Sequence, residues 1–510
     1  MASPLTVRNL TSTAISILRV EQFEDPNTLQ SRAGGFFFGS KNISSAAPTS
    51  PELSGHAQSF NHQDLEVVLQ PFESYTLNQE RVGTAATLSS PTLRLTIETL
   101  GHERHRIDTH PSYTQKSPSC FIPLLPNPST TYKALFHPSH PTPHLTIHTN
   151  HLSDYTSWMA TLPDTLPLSA LSIPGTHNSH THYRALPSVR CQVHDVRKQL
   201  ENGIRFLDIR VQPTHATDAT KQDLYLVHGA FPVSLTGPKY LKPVLNMCYE
   251  FLTENPSETM LISLKREGVG SATDEHLARI LEEHYITLNS SKWHTGTQIP
   301  YLGDVRGKLV LVRRYNTAKT SDGRQGGRSG GLDATAWPHN ATYALFPHQA
   351  STFCLQDFCE VMEADVIPTK IQHCNDHLVR AAECVHHIPG VTTDKQNPVP
   401  PGPLYLNFLS GSNFWKRACW PDAIAKIVNR GMEEWICAGH HLQGPEVTTR
   451  HPDETVEEET EVGVRKAKGG DGGTGIVVMD CVGENGDWEL VRLIVGMNMG
   501  VLSKFRTDGS

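Results

Sequence analysis

The sequence predicts an α/β fold: an irregular, TIM-like (β/α)8 barrel preceded by a small all-β, sandwich-like N-terminal domain. Three observations carry this expectation. From about residue 155, strand-like apolar runs alternate with amphipathic helical stretches, the pattern of a parallel β/α unit. Up to about residue 150 only short alternating runs occur, separated by Pro, Ser, Thr and Asn clusters. The 510 residues, 37% hydrophobic and 19% charged, supply apolar material for a large barrel and an accessory domain.

In the N-terminal part, residues 1–150, the runs are Leu5–Val7, Ala14–Val20, Leu65–Leu69, Leu93–Ile97, Tyr132–Leu135 and Leu145–His148. No long helical period interrupts them. In the second part, residues 155–510, the eight strand candidates are Leu168–Ile173, Ile204–Val211, Leu224–His228, Thr259–Lys265, Lys308–Arg314, Thr352–Gln356, Leu404–Leu409 and Gly475–Cys481. Helices are expected at Val193–Asn202, Pro243–Glu254, Asp274–His284, Asn375–His387 and Pro421–Arg430. Gly203 stands where a left-handed helix cap is wanted. Two segments read as mobile insertions in the barrel, Gly/Arg-rich 321–331 and charged, then Gly-rich, 444–475.

The formal net charge of −8 argues against coating nucleic acid through bulk positive charge. No apolar segment reaches the length that spans a bilayer. Met1–Val20 lacks a signal pattern and the 10 Cys are scattered, so the expectation is a cytoplasmic chain with reduced thiols, peripheral at membranes if its substrate lies there. Gly469–Gly475 lacks the Lys-Ser/Thr of a phosphate loop, and Cys374, His377, Cys384 and His387 fit no standard zinc spacing. No cofactor and no metal are expected, and nothing in the sequence sets the oligomeric state.

In a parallel barrel the active site forms at the C-terminal strand ends. Here those ends carry chemistry. The first strand runs into Pro174-Gly175-Thr176-His177-Asn178-Ser179. The second carries Asp208 and Arg210 two apart, on one face. The others end in His228, Lys265, Arg314, Asp357 and Asp480. Two histidines, three carboxylates and three cations around one cavity suit a phosphate ester. A neutral imidazole takes a proton from an attacking hydroxyl, a protonated one gives a proton to the leaving oxygen, and a guanidinium offsets charge on the phosphoryl group. Each residue also has a plain reading: Asp208 and Arg210 as a structural ion pair, Lys265 as a solvated lysine, Asp480 as a helix cap, His177 as a turn histidine.

Pro174–Ser179 (PGTHNS), Phe206–Arg210 (FLDIR), Leu226–Gly229 (LVHG), Ile262–Glu267 (ISLKRE), Arg306–Tyr315 (RGKLVLVRRY) and Gly475–Asp480 (GIVVMD), in this order, resemble the X domain of bacterial-type phosphatidylinositol-specific phospholipase C over about residues 155–500. The resemblance implies His177 as general base toward the inositol 2-hydroxyl, with Asp480 as its carboxylate partner. It implies His228 as general acid, partnered by Asp208, and Arg210 as the phosphate-binding residue. Lys265, Arg314 and Asp357 match positions that hydrogen-bond the inositol ring. The implied substrate is a phospholipid at a membrane surface, and the implied products are cyclic inositol phosphate and diacylglycerol. Animal-type relatives hold calcium where Arg210 stands, so metal-independent activity is expected, although Asn178 matches one of their calcium ligands. Cys359 replaces the family's ring-stacking tyrosine, which affects headgroup specificity.

Two other functions fit the same residues. A glycerophosphodiesterase or sphingomyelinase-D-like enzyme also uses paired histidines, but with acidic metal ligands near the first His and on the next strand. A catalytically inactive lipid- or protein-binding module has no need of two acid/base groups. Phe36-Phe37-Phe38 reads as a buried strand of the N-terminal domain in preference to a membrane-inserting tip.

Overall fold

A computed structural model describes residues 5–23, 59–77, 92–109, 121–130, 132–137, 143–149, 154–186, 188–317, 330–348, 351–443 and 464–505. Phe36–Phe38, most of 321–331 and the acidic part of 444–475 lie outside the described residues. The chain divides into two compact units, Met1–His151 with Cys437–Gly469, and Leu152–Ile436 with Gly470–Ser510.

The first unit contains strands β1 (Leu5–Asn9), β2 (Ile15–Phe23), β3 (Ser59–Leu69), β4 (Ser74–Leu77), β5 (Thr92–Glu98), β6 (Arg104–Asp108), β7 (Ile122–Pro123), β8 (Tyr132–His137) and β9 (His144–Thr149). They form two five-stranded sheets, β3-β2-β5-β6-β7 and one in which β4-β1-β9-β8 is completed by Val464–Arg465 pairing antiparallel to β4. Alternating residues explain the core: Leu5, Val7 and Ile147 of one sheet and Ile15, Leu95, Ile97 and Ile107 of the other fall in one buried cluster. The segment read as a barrel insertion thus contributes a strand to this unit.

The second unit holds β10 (Ile173–Thr176), β11 (Phe206–Pro213), β12 (Leu224–His228), β13 (Phe231–Pro232), β14 (Met260–Arg266), β15 (Trp293–His294), β16 (Leu309–Arg314), β17 (Leu332–Asp333), β18 (Ala344–His348), β19 (Ser351–Gln356) and β20 (Leu404–Phe408), with β21 (Val464–Arg465) in the first unit and β22 (Ile476–Met479) returning to this one. Helices α1 (Val196–Glu201), α2 (Leu241–Glu254), α3 (Asp274–Leu281), α4 (Ile367–Glu383), α5 (Pro421–Ala438) and α6 (Glu489–Gly496) accompany them. Asp195 accepts from Lys198 N at 2.8 Å to cap α1, and Gly203, at φ +105°, takes the left-handed turn after it.

The curled sheet runs β15-β16-β14-β11-β10-β22-β20-β19-β18, and its strands from β16 to β19 are parallel. Two strand expectations are corrected. Leu168–Ala170 is a 3-10 turn, and the first strand begins at Ile173. Leu224–His228 is antiparallel to β11, not a barrel stave. The intervening segment 214–223 is too short for the crossover of a dozen or more residues that a parallel return needs. Among the described residues β18, antiparallel to β19, and the short β15 and β17 beside β16 are the sheet's ends, and no ladder joins the two ends into a closed (β/α)8 cylinder.

The interior follows the period of two. Ile173, Phe206, Leu261, Val310, Val312, Phe353, Leu355, Leu404, Leu406, Phe408, Ile476 and Val478 pack in a single buried cluster. Continuing the same alternation toward the strand ends brings His177, Arg210, Lys265, Arg314, Asp357 and Asp480 to one rim. Gly175 is required at close quarters, because a Cβ there would lie 2.8 Å from Phe206 Cβ.

Candidate active site

His177 follows β10 and Asp480 follows β22, and these two strands are parallel neighbours. Gln192 fastens their ends, its Nε2 donating to His177 O at 2.7 Å and Met479 O at 2.9 Å. Asp480 is thereby set against the ring, and His177 Nδ1 donates to Asp480 Oδ1 at 2.8 Å. Asn178 Nδ2 donates to His177 Nε2 at 3.0 Å, so Nε2 carries the lone pair. Burial raises the Asp480 carboxyl pKa, and the neighbouring His177 partly opposes the shift.

His228 ends β12, and its ring lies 5.9 Å from that of His177, centroid to centroid, at 90°. Its expected partner is corrected. His228 Nδ1 donates to the backbone oxygen of Val189 at 2.8 Å, with Cys191 Sγ 3.8 Å away. Asp208 is turned instead toward cations: Oδ2 accepts from Arg210 Nε and Nη2 at 3.2 and 3.1 Å, and Oδ1 from Arg314 Nη1 at 3.4 Å. Two guanidiniums outcompete a neutral imidazole for a buried carboxylate. Burial works against the Asp208 charge, but Arg210 and then Arg314 outweigh it and hold its carboxyl well below the usual range. For His228, burial first, then the charge of Arg210 and the nearby His177, pushes the pKa down to about 3. At neutral pH the imidazole of the chain by itself is neutral.

Glu267, one residue beyond β14, is a site residue that the sequence assignment missed. Its Oε1 accepts from Arg210 Nη1 at 2.9 Å and Lys265 Nζ at 2.8 Å, while Oε2 accepts from Gly229 N at 3.0 Å. Burial opposes its charge, yet Arg210 and Lys265 bring its pKa down to about 2. It stands two residues after Lys265, so strand alternation alone places it on the same face. Trp337 was also missed, since it lies in a loop without a periodic signal. Its ring carries Arg314, whose Cζ is 3.8 Å from the ring centroid, and its Nε1 donates to Asp357 Oδ2 at 2.9 Å.

His177, Arg210, His228, Lys265, Arg314 and Asp357 all line one cavity of about 360 Å³, with Glu267, Trp337 and Cys359 in its wall. The sequence-predicted groups Asp208 and Asp480 stand behind that wall as buried supports. Burial and the Asp357 charge push the Cys359 thiol up to about 11, so it faces the cavity as a neutral group. A negatively charged ester can be met by Arg210 and by two imidazoles, one whose Nε2 lone pair faces Asn178 Nδ2 and one with a fixed Nδ1–H.

Residues 165–315 match the family model of the phosphatidylinositol-specific phospholipase C X domain, a stretch that includes His177, Asp208, Arg210, His228, Lys265, Glu267 and Arg314. The 1-phosphatidylinositol phosphodiesterase of Listeria monocytogenes is 34% identical over 172 residues, covering 32% of this chain and 50% of that protein. The enzyme of the same name from Staphylococcus aureus is 27% identical over 213 residues, covering 38% of this chain and 63% of that protein. This chain thus spans between half and two thirds of the length of these relatives. The crystal structure of a Staphylococcus aureus phosphatidylinositol-specific phospholipase C variant superposes with a TM-score of 0.48 at 20% identity, covering 68% of this chain and 98% of that one.

Proposed function

We propose that this chain cleaves the phosphodiester of phosphatidylinositol, or of a closely related phospholipid, as a phospholipase C. The observation that carries the reading is the pair of imidazoles 5.9 Å apart over a cavity that also holds Arg210. That spacing lets both rings reach oxygens of a single phosphorus, each at the ~2.6–3.2 Å of a hydrogen bond.

His177 acts as base. Asp480 fixes its Nδ1–H, so Nε2 accepts the proton of the inositol 2-hydroxyl as that oxygen attacks phosphorus. The Arg210 fork, held open by Asp208 and Glu267, takes the non-bridging oxygens. His228 takes up a proton at Nε2 from solvent as the anionic phosphodiester binds beside it, then donates that proton to the glycerol oxygen as the phosphorus–oxygen bond breaks, giving cyclic inositol phosphate and diacylglycerol. Val189 O, and no carboxylate, orients this acid. Lys265, Arg314 and Asp357 serve the inositol hydroxyls, with the Trp337 ring holding Arg314 in place.

Calcium is not needed in this scheme. The carboxylates suited to it, Asp208 and Glu267, are occupied by Arg210, whose guanidinium disfavours a divalent ion on those two groups. The same pairing disfavours a metal-dependent glycerophosphodiesterase.

A lipid substrate also requires a surface that meets the bilayer. Phe231, three residues after His228, stacks on Phe414 at 5.2 Å, and Trp415 beside it is 86% exposed. Ser410–Ser412, in the cavity wall, lead directly into this aromatic group, and Lys416 and Arg417 follow. Exposed rings flanked by cations suit an anionic membrane surface. No helix among the described residues is long and apolar enough to cross a membrane.

The test is His228→Ala on phosphatidylinositol vesicles in EGTA. The account expects turnover to fall by ~10²–10⁴-fold, the usual share of one acid/base group, with headgroup binding kept. Unchanged turnover contradicts it. Headgroup binding by a wild-type chain without turnover favours the inactive module.

A further inference from the structure

Cys191 is fully buried at the catalytic rim, yet the proposed reaction makes no use of it. Its backbone is pinned there, N–H donating to Thr181 Oγ1 at 3.1 Å and its oxygen accepting from Cys481 N at 2.7 Å. Its sulfur lies 3.8 Å from Asn178 Nδ2 and from His228 Nδ1. The ligand atoms of His177, Cys191 and Asp480 are all within 4.8 Å of one another. Independently, among the described residues two buried oxygens of this cluster, Asp480 Oδ2 and Asn178 Oδ1, have no hydrogen-bond partner. An unpaired buried carboxylate oxygen is costly unless something positive meets it.

We propose that His177, Cys191 and Asp480 form a site for a thiophilic divalent cation of the zinc class, and that occupying it blocks His177 as a base. The binding half stands on this geometry alone, whereas the blocking half rests on the functional reading above.

The donor set selects the cation. Imidazole, thiolate and carboxylate together suit zinc, whereas calcium and magnesium take oxygen shells. Metal–ligand bonds of ~2.0–2.3 Å require the sulfur to close toward the other two ligand atoms, which lie within 4.8 Å of it, while His177 Nδ1 and Asp480 Oδ1 are already 2.8 Å apart. Binding forms bonds to sulfur, to His177 Nδ1 and to an Asp480 oxygen. It breaks the Cys191 S–H and the His177 Nδ1–H bonds, and both protons leave to solvent. The hydrogen bond that now orients His177 is lost in exchange, and an imidazole bonded to a cation is a poor base. The chain then works without metal and is stopped by one.

The experiment titrates the full-length, chelator-treated protein with Co²⁺ as optical probe and Zn²⁺ as competitor. One equivalent of cobalt is expected to give a thiolate-to-metal charge-transfer band that zinc abolishes. Cys191→Ser removes the band and weakens binding by at least ~100-fold, beyond the ~10–100-fold cost of losing an outer-sphere partner. No band in the wild-type protein, or an unchanged band in Cys191→Ser, overturns the site. Should Cys191→Ser fail to fold, Asp480→Asn decides: weakened cobalt binding supports the site and unchanged binding overturns it. Turnover of phosphatidylinositol vesicles that falls in step with optical occupancy supports the block, and full turnover at saturation overturns it. A cobalt band from a protein whose metal-free form shows no turnover supports the site and overturns the functional reading together with the block.

Discussion

Loading the cavity with a non-cleavable inositol phosphonate should change the charge on His228. In the protein alone its pKa is about 3, against an ordinary 6.5. At ~1.4 kcal/mol per unit, protonating it there costs about 5 kcal/mol more than in water. A phosphonate monoanion about 4 Å away contributes ~4 kcal/mol at an effective dielectric constant of about 20, and it also offsets the Arg210 charge that depresses the ring. The two magnitudes nearly cancel, so the bound pKa should return to ~6. The sign follows from proton counting: between about 3 and ~6 the complex holds a proton that the free protein lacks, so analogue affinity rises as pH falls through that window. Ring nitrogen shifts of ¹⁵N-histidine protein report the titration, with His228→Gln assigning the signal. A His228 that stays near 3 in the saturated complex, or that titrates near 6.5 without ligand, refutes the assignment of this ring as an acid charged by its own substrate.

Glu267→Gln removes the carboxylate that holds Arg210 and Lys265, and charge-assisted hydrogen bonds worth ~1.5–3 kcal/mol each imply a fall of ~10²-fold in kcat/KM with near-UV circular dichroism unchanged. Activity within about threefold of wild type would mean that other groups set the fork. Phe414→Ser with Trp415→Ser should lower binding to phosphatidylinositol vesicles by ~10²-fold or more, since burying each ring is worth ~1.5–3 kcal/mol, and spare hydrolysis of a monomeric, water-soluble ester. Equal loss on both substrates would place these rings in the folding of the site and not at the membrane.

The alternation of the strands made the rim legible. Asp208 and Arg210, or Lys265 and Glu267, reach one face because they are two apart in an extended segment, and His177 and Asp480 meet because β10 and β22 are neighbours. Period-two reasoning finds such residues but not their partners. The family resemblance implies Asp208 as partner of His228, yet which base the carboxylate prefers depends on Arg314, which arrives from a strand 106 residues later. Leu224–His228 has the composition of any other strand here, and only the shortness of the connection before it fixes its antiparallel direction. Trp337 lies in a loop, where no periodicity speaks, and its role exists only through contact with Arg314 and Asp357. Val189 O acts through the backbone, so no residue type at that position announces it.

Phosphorus NMR of phosphatidylinositol vesicles incubated with the purified chain in EGTA bears most directly on a substrate-assisted cleavage between two histidines. The account predicts a transient signal in the region of five-membered cyclic phosphates, appearing before any inositol 1-phosphate. Inositol 1-phosphate released from the outset with no cyclic precursor, or turnover that begins only when calcium is added, would contradict it.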